Sequence, residues 1–379
     1  MKRKKSDFVI TVLFLVFLYG IAAANLLTKD RTFSEMENRM LAKRPKFSTK
    51  ALLSGTLMEN YETYVADQFV ARDTFIQVKC AGERSLGKKV NNGVYYGKDG
   101  YLMEQLTGLD EVQLGKNMAA LKRFTENSEA KVFFALIPGS AAVNREKLPT
   151  FLPDVEQGKV IEALYGELAG LPVTCVDMYG MLTAHREEEL FYRTDHHWTS
   201  VGAYYGYRAF LEAKGTGEAA VPLSAYEETV QSVNFYGTLY SKTGAFWIQP
   251  DCIRTYVPEE GIVVERVEGT NVEPGELYVE SMLQKKDQYS LFLGGNQPLG
   301  ILYTGREELP KLLVLRDSYF DSMAPFLTPH YSEIHMIDFR YNRADVKQYM
   351  EKEGIDEVLI CYSLSNFQED KNLGYVLGR

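Results

Sequence analysis

Lys311-Leu312-Leu313-Val314-Leu315-Arg316-Asp317-Ser318-Tyr319-Phe320 is the stretch from which the fold is read. Residues 312–315 are apolar without a break, the pattern of a strand buried on both faces. Such strands belong to parallel sheets covered by helices. The run stops at a charged, polar turn, and a helix is expected next. A serine at that junction projects its hydroxyl from the carboxyl edge of the sheet. Its N–H, at a helix start, can face a developing oxyanion. The same position also suits a plain helix N-cap, so Ser318 alone decides nothing.

Working outward, the same rhythm recurs on both sides. A strand at Glu333–Phe339, a helix at 343–353 and a strand at Glu357–Tyr362 follow; the last ends in Ser363-Leu364-Ser365-Asn366-Phe367. Upstream, a helix at 110–127 precedes a strand at Lys131–Ile137, a helix at 156–168 precedes a strand at Val173–Asp177, and a helix at 179–189 comes next. Strands alternating with helices indicate a parallel sheet with helices on both faces, whose ligands bind beyond the carboxyl ends of the strands. Gly93–Leu102 reads as two short strands around Lys98-Asp99-Gly100. Residues 215–310 break the rhythm. Glycine is frequent, and short alternating runs at Tyr226–Val233, Cys252–Val257, Gly261–Val267 and Tyr289–Leu293 read as a β-rich insertion. Within it, Asn234–Lys242 and Ala245-Phe246-Trp247 form an aromatic and polar cluster. That cluster is either a hairpin with a packed tryptophan or a lip over a substrate.

A second stretch carries the chemistry: Arg193-Thr194-Asp195-His196-His197-Trp198-Thr199-Ser200-Val201-Gly202. Asp195 and His197 are two apart, so an extended backbone points them the same way. A carboxylate bonded to an imidazole fixes its tautomer and stabilises the imidazolium, as a general base requires. Asp-x-His is also a common structural hydrogen bond. Its weight comes from convergence: Asp195-His197, Ser318 and Asn366 all fall at carboxyl ends of expected strands, where one sheet edge can collect them. Thr199 or Ser200 reads as the N-cap of an amphipathic helix over Val201–Ala213. Reading Asp195, His196 and His197 as metal ligands is disfavoured. Adjacent histidines diverge and no third lies nearby, so neither metal nor cofactor is expected.

The first residues form a basic head, Lys2-Arg3-Lys4-Lys5, before an apolar run from Phe8 to Leu27. That run has about the length of a bilayer span. The charge asymmetry predicts a cytoplasmic N-terminus and an exported body, anchored in the cell membrane. Ala22-Ala23-Ala24 offers a cleavage site that would instead release the body. The 379 residues carry a net charge of −9. Residues 1–27 contribute +3, leaving −12 for the rest, which argues against a nucleic-acid partner. The four cysteines are far apart and show no metal or CxxC spacing.

Asp195-His196-His197-Trp198, with Ser318 in Arg-Asp-Ser-Tyr, resembles the DHHW proteins of bacteria. These are similar to the SGNH-hydrolase-like proteins that O-acetylate alginate and related exopolysaccharides. Phe33-Ser34-Glu35, Glu37-Asn38-Arg39 and Val94-Tyr95-Tyr96-Gly97 also resemble the family. The resemblance implies an α/β fold: an SGNH-hydrolase-like (flavodoxin-like) parallel sheet flanked by helices. It would be circularly permuted, because the Asp-x-His pair precedes the serine strand instead of following it. On that basis the chain divides into a membrane segment at 1–28 and a tether with N-terminal helices at 29–90. A first α/β part at 91–214, the insertion at 215–310 and a second α/β part at 311–379 follow.

The resemblance further implies a triad of Ser318, His197 and Asp195, with Asn366 as an oxyanion donor. Arg340 falls roughly at the family's glycine-bearing block, where no matching glycine is found. Trp198, Tyr319 and Trp247 are candidates to stack on sugar rings, and equally candidates for the core. The implied activity is O-acetyl transfer to an exported polysaccharide, or its reversal by an esterase. A membrane protein would deliver the acetyl group. The alternative is a non-catalytic polysaccharide-binding or assembly protein on the same scaffold.

Overall fold

A computed structural model describes residues 2–258 and 261–377. The chain forms two compact units, Met1–Lys88 with Ser241–Phe246, and Lys89–Tyr240 with Trp247–Arg379.

The first unit begins with α1 (Lys2–Leu27), whose segment Ser6–Leu27 is long and apolar enough to cross a membrane. α2 (Thr56–Asp67) and α3 (Arg72–Ser85) follow, within the 29–90 stretch where N-terminal helices are expected. Polar ties hold them to the preceding strap. Arg39 grips Asp67 with two nitrogens at 2.9 and 2.6 Å, and Ala42 N–H donates to the same carboxylate at 2.8 Å. The hydrogen bonds from Arg39 pull the Asp67 carboxyl down to about 2, although burial opposes them.

The second unit is built on an eight-stranded sheet. Its strands in chain order are β1 (Lys131–Ile137), β2 (Val173–Val176), β3 (Val263–Glu268), β4 (Asn271–Gly275), β5 (Leu299–Tyr303), β6 (Lys311–Arg316), β7 (Glu333–Ile337) and β8 (Glu357–Ser363). Across the sheet they lie in the order β4-β3-β5-β7-β6-β8-β1-β2. β7, β6, β8, β1 and β2 are mutually parallel; β5, β3 and β4 add to the β7 edge antiparallel. The expected parallel sheet is therefore present, and part of the insertion extends it.

Alternation along the central strands explains why both faces are apolar. Val132, Phe134, Leu136, Leu313, Leu315, Val358 and Ile360 point to one face. There they meet Leu114, Met118 and Leu121 of α4 (Glu111–Glu126) and Ile161 and Leu164 of α5 (Gln157–Gly166). Phe133, Ala135, Ile137, Leu312, Val314, Leu359 and Cys361 point to the other. They pack on Met178 and Leu182 of α6 (Met178–Ala184) and on Ala203, Tyr204, Tyr207 and Phe210 of α7 (Ser200–Lys214). Each large side chain buried this way contributes about 1.5–3 kcal/mol, more than helix propensity supplies.

Two sequence expectations need correction. Tyr289–Leu293 is not a strand: Gln288–Leu291 is a 3-10 turn. Leu293 takes φ 58°, and Gly294 and Gly295 continue with positive φ, which no strand accommodates. The helix expected after Ser318 is a five-residue 3-10 turn, Ser318–Ser322, before a short α-helix at Ala324–Leu327. The Gly93–Leu102 hairpin is as expected, with Asp99 and Gly100 left-handed at its tip.

Candidate functional site

β6 ends at Arg316, and Asp317 caps the turn that carries Ser318 by accepting Tyr319 N–H at 3.1 Å. The other carboxylate oxygen of Asp317 accepts from Ser363 N–H, Ser363 hydroxyl and the Asn366 amide, each at 2.8 Å. The end of β8 is thereby tied to the serine turn. The Asn366 amide thus braces Asp317 through one of its two N–H groups. Arg316 at the end of β6 and Asp321 in the turn, both fully buried, pair at 2.8 Å. Burial lifts the Asp321 carboxyl to about 7, against the pull of Arg316.

The histidines come from the loop between α6 and α7. A bridge between Phe191 and Trp198 folds that loop back on itself, with Thr199 N–H on Leu190 O at 2.9 Å. Gly202 permits the close approach, since a Cβ there would lie 2.2 Å from Leu190 O. Thr199 caps α7 by accepting Gly202 N–H.

The two segments meet. His197 Nδ1 lies 2.6 Å from Asp195 Oδ1, and His197 Nε2 lies 2.8 Å from Ser318 Oγ. With the Nδ1 proton held by the carboxylate, the Nε2 lone pair faces the serine hydroxyl. Ser318 is half-buried, while His197 and Asp195 are buried. Asp195 Oδ1 also accepts the His197 N–H at 3.0 Å. Its Oδ2 accepts the N–H and hydroxyl of Thr238 at 2.7 and 3.0 Å. Burial raises the Asp195 pKa, but His196, His197 and these hydrogen bonds outweigh it, so the group stays far below the carboxylate range. A second glycine matters here: a Cβ on Gly237 would stand 2.3 Å from Asp195 Oδ2.

Asp195, His196 and His197 offer ligand atoms within 4.8 Å of one another. Both Asp195 oxygens are occupied by N–H and O–H donors, and His197 Nε2 by Ser318. The arrangement therefore suits moving a proton better than holding a cation. His196 lies 2.7 Å from Thr238 Oγ1, and its ring meets His197 in a tilted contact at 3.9 Å.

Two expected sugar platforms are corrected. Trp198 is fully buried, and its Nε1–H donates to Tyr319 O at 2.8 Å and Ser322 Oγ at 3.0 Å. Tyr319 is buried too, and its hydroxyl donates to His196 O. Together they lace the histidine loop to the serine turn and present no ring to a substrate. Trp247 is half-buried in a tilted contact with Tyr96 at 5.7 Å. Arg340 extends to the surface, where it holds Asp338 at 2.6 Å and Asn296 at 3.0 Å.

Tyr289 and Thr238 were not foreseen. The Tyr289 ring lies on His197 at 3.7 Å and 6°, and its hydroxyl donates to Ser318 O at 3.1 Å. Both residues belong to the insertion. Thr238 fell inside the cluster at 234–242, but nothing in its spacing marked it as a partner of Asp195.

No curated protein sequence matches this chain. Among solved structures, a DHHW family protein from Eubacterium siraeum is similar at 25% identity and TM-score 0.62, over 75% of this chain and 95% of that one. Bacillus cereus PatB1, solved with a sulfonyl adduct, is similar at 19% identity and TM-score 0.61, over 74% and 97%. The O-acetyltransferase domain of Pseudomonas putida AlgJ gives 15% identity and TM-score 0.47, over 73% and 93%. A family model described as DHHW protein matches residues 97–337, which include the whole Asp195–Trp198 motif and Ser318. This chain belongs to the DHHW family.

Proposed function

We propose that the chain is a membrane-anchored serine acyl-transfer enzyme of SGNH type that O-acetylates an exported polysaccharide. The observation that carries this reading is the unbroken relay Ser318 Oγ–His197 Nε2 at 2.8 Å and His197 Nδ1–Asp195 Oδ1 at 2.6 Å. His197 takes the Ser318 proton as the oxygen attacks an acyl carbonyl. Asp195 holds the imidazole in the required tautomer and stabilises its charge. The Ser318 N–H, which has no acceptor among the described residues, faces the oxyanion. His197 then returns the proton to the leaving group, which departs and leaves an acyl-serine. A sugar hydroxyl, deprotonated by His197, attacks that ester; the acyl group passes to the sugar, and Ser318 regains its proton.

The AlgJ name and the DHHW resemblance suggest acetyl as the group transferred. A half-buried serine suits a long, hydrated chain as acceptor. The chain order, with Asp195 and His197 before the serine and asparagine strands, fits a circularly permuted SGNH arrangement. The span at Ser6–Leu27 would keep the body outside the membrane, where a membrane protein delivers the acetyl group.

Phenylmethylsulfonyl fluoride tests the nucleophile. One sulfonyl group should add to the Ser318 peptide, and His197→Ala should abolish the labelling. Labelling of another serine, or labelling indifferent to His197, would overturn the assignment.

A further inference from the structure

Residues 28–88 differ from the rest of the chain in charge. They hold eleven Lys and Arg against eight Asp and Glu, a net +3. With +3 also on residues 1–27 and −9 overall, residues 89–379 carry −15. Lys43, Arg44, Lys46 and Lys50 are exposed, flank the half-buried Pro45 and the exposed Phe47, and are in no ion pair among the described residues.

The same segment shows apolar side chains to solvent in helical register. On α2, Met58, Tyr61 and Val65 stand at i, i+3 and i+7; on α3, Phe75 and Val78 stand at i and i+3. Leu53 and Leu86 are 89% exposed. Folded helices of a soluble protein turn such a stripe inward.

Hydrogen bonds fix where this stripe begins. The Val70 N–H, in the turn between α2 and α3, donates to Asn25 Oδ1 in the last turns of α1 at 2.6 Å. Tyr64 donates to Asp30 at 3.0 Å, and the Gln68 amide donates to Arg31 O and Ala42 O. The C-terminal end of α2 is therefore fastened to the end of the apolar span. Tyr61, six residues before Asp67, lies about 9 Å further along the helix. Tyr61 is thereby held close to the end of the span, where an interfacial helix would lie.

We propose that α2, α3 and the basic strap at 43–50 lie in the interfacial layer of a bilayer bearing anionic phospholipid headgroups. The apolar stripe enters the upper acyl region, and the unpaired cations meet phosphates. A partner protein fits less well, because the centre of a protein interface is depleted of charge and lysine in particular is disfavoured there. The inference rests on retention of the span proposed above, which the experiment reads separately.

The test uses the full chain reconstituted in vesicles of phosphatidylcholine, with or without phosphatidylglycerol. Tyr61→Trp and Val78→Trp supply reporters, read as differences from the parent, whose own Trp198 is buried and Trp247 half-buried. Both reporters should emit at shorter wavelength and lose about half or more of their intensity to lipids brominated on the acyl chains. The Lys43→Glu/Arg44→Glu/Lys46→Glu variant should lose about half or more of that quenching in phosphatidylglycerol vesicles while hydrolysing esters as the parent does. Intact mass establishes whether residues 1–27 remain; a mature start near Asn25 would overturn the anchor. Unquenched reporters in a chain that retains the span would overturn the interfacial placement. So would a blue shift that grows with protein-to-lipid ratio without bromine quenching, which would assign the stripe to a second copy.

Discussion

The rim around Ser318 and the segment at residues 28–88 handle polar and apolar groups in opposite ways. At the rim, Asp195 accepts four hydrogen bonds and is almost fully buried, and the tryptophan beside it faces inward. In the segment, Arg39 and Asp67 pair at 2.6 Å with the arginine 41% exposed, and tyrosine, valine and phenylalanine face outward. The contrast shows what each region is built against. The rim fills both Asp195 oxygens with donors from the protein and aligns His197 with Ser318. The segment has turned its apolar side away from the protein, which is economical only where something other than water meets it.

The largest expected effect lies at the rim. Asp195→Asn leaves the imidazole in place but removes its tautomer control, so ester turnover should fall about 10³–10⁴-fold. An effect below tenfold would make Asp195 a structural partner only. Next, Trp198→Ala removes a fully buried ring and its two hydrogen bonds, and should cost about 3–5 kcal/mol in chemical denaturation. A cost near zero would show that the lacing of the two segments is unimportant. Gly237→Ala forces a Cβ against the Asp195 carboxylate and should cost about 1–3 kcal/mol, with lower turnover. Full turnover in that variant would mean the carboxylate can shift freely.

The segment should respond to pH more than to any single truncation. The Asp67 carboxyl is lowered to about 2 in the fold, so its stabilisation is complete above about 4 and lost as pH falls through about 2. The loss is about 2 kcal/mol, and Asp67→Asn should remove that part of the acid dependence. Melts of parent and variant between pH 5 and 2 compare the two directly. Parallel curves would place the acid sensitivity elsewhere.

The sequence was most legible where a pattern had one physical solution. The apolar run at 312–315 fits only a doubly covered strand, and Ser318 and Asn366 do follow strand ends, whereas Asp195 and His197, expected at a strand end too, sit in the loop between α6 and α7. Legibility failed where a residue's role depends on which way it faces. Trp198 beside two histidines reads as a substrate platform until its indole N–H is seen donating inward to the serine turn. Tyr289-Ser290-Leu291-Phe292-Leu293 alternates like a strand, yet the positive φ at Leu293 before two glycines bends it into a turn. That bend lays Tyr289 over His197. Thr238 and Gly237 complete the Asp195 site from about forty residues away, in an insertion with no period to align it. Asn366 lies just past a strand end as expected, and its bond to Asp317 could not be read from the sequence, because chain distance does not say which carboxylate faces it.

Hydrolysis of a p-nitrophenyl ester by the full chain and by Ser318→Ala tests the central claim most directly. The parent should turn over and the variant should fall about 10³-fold or more, while both melt alike. Full turnover in Ser318→Ala would contradict it.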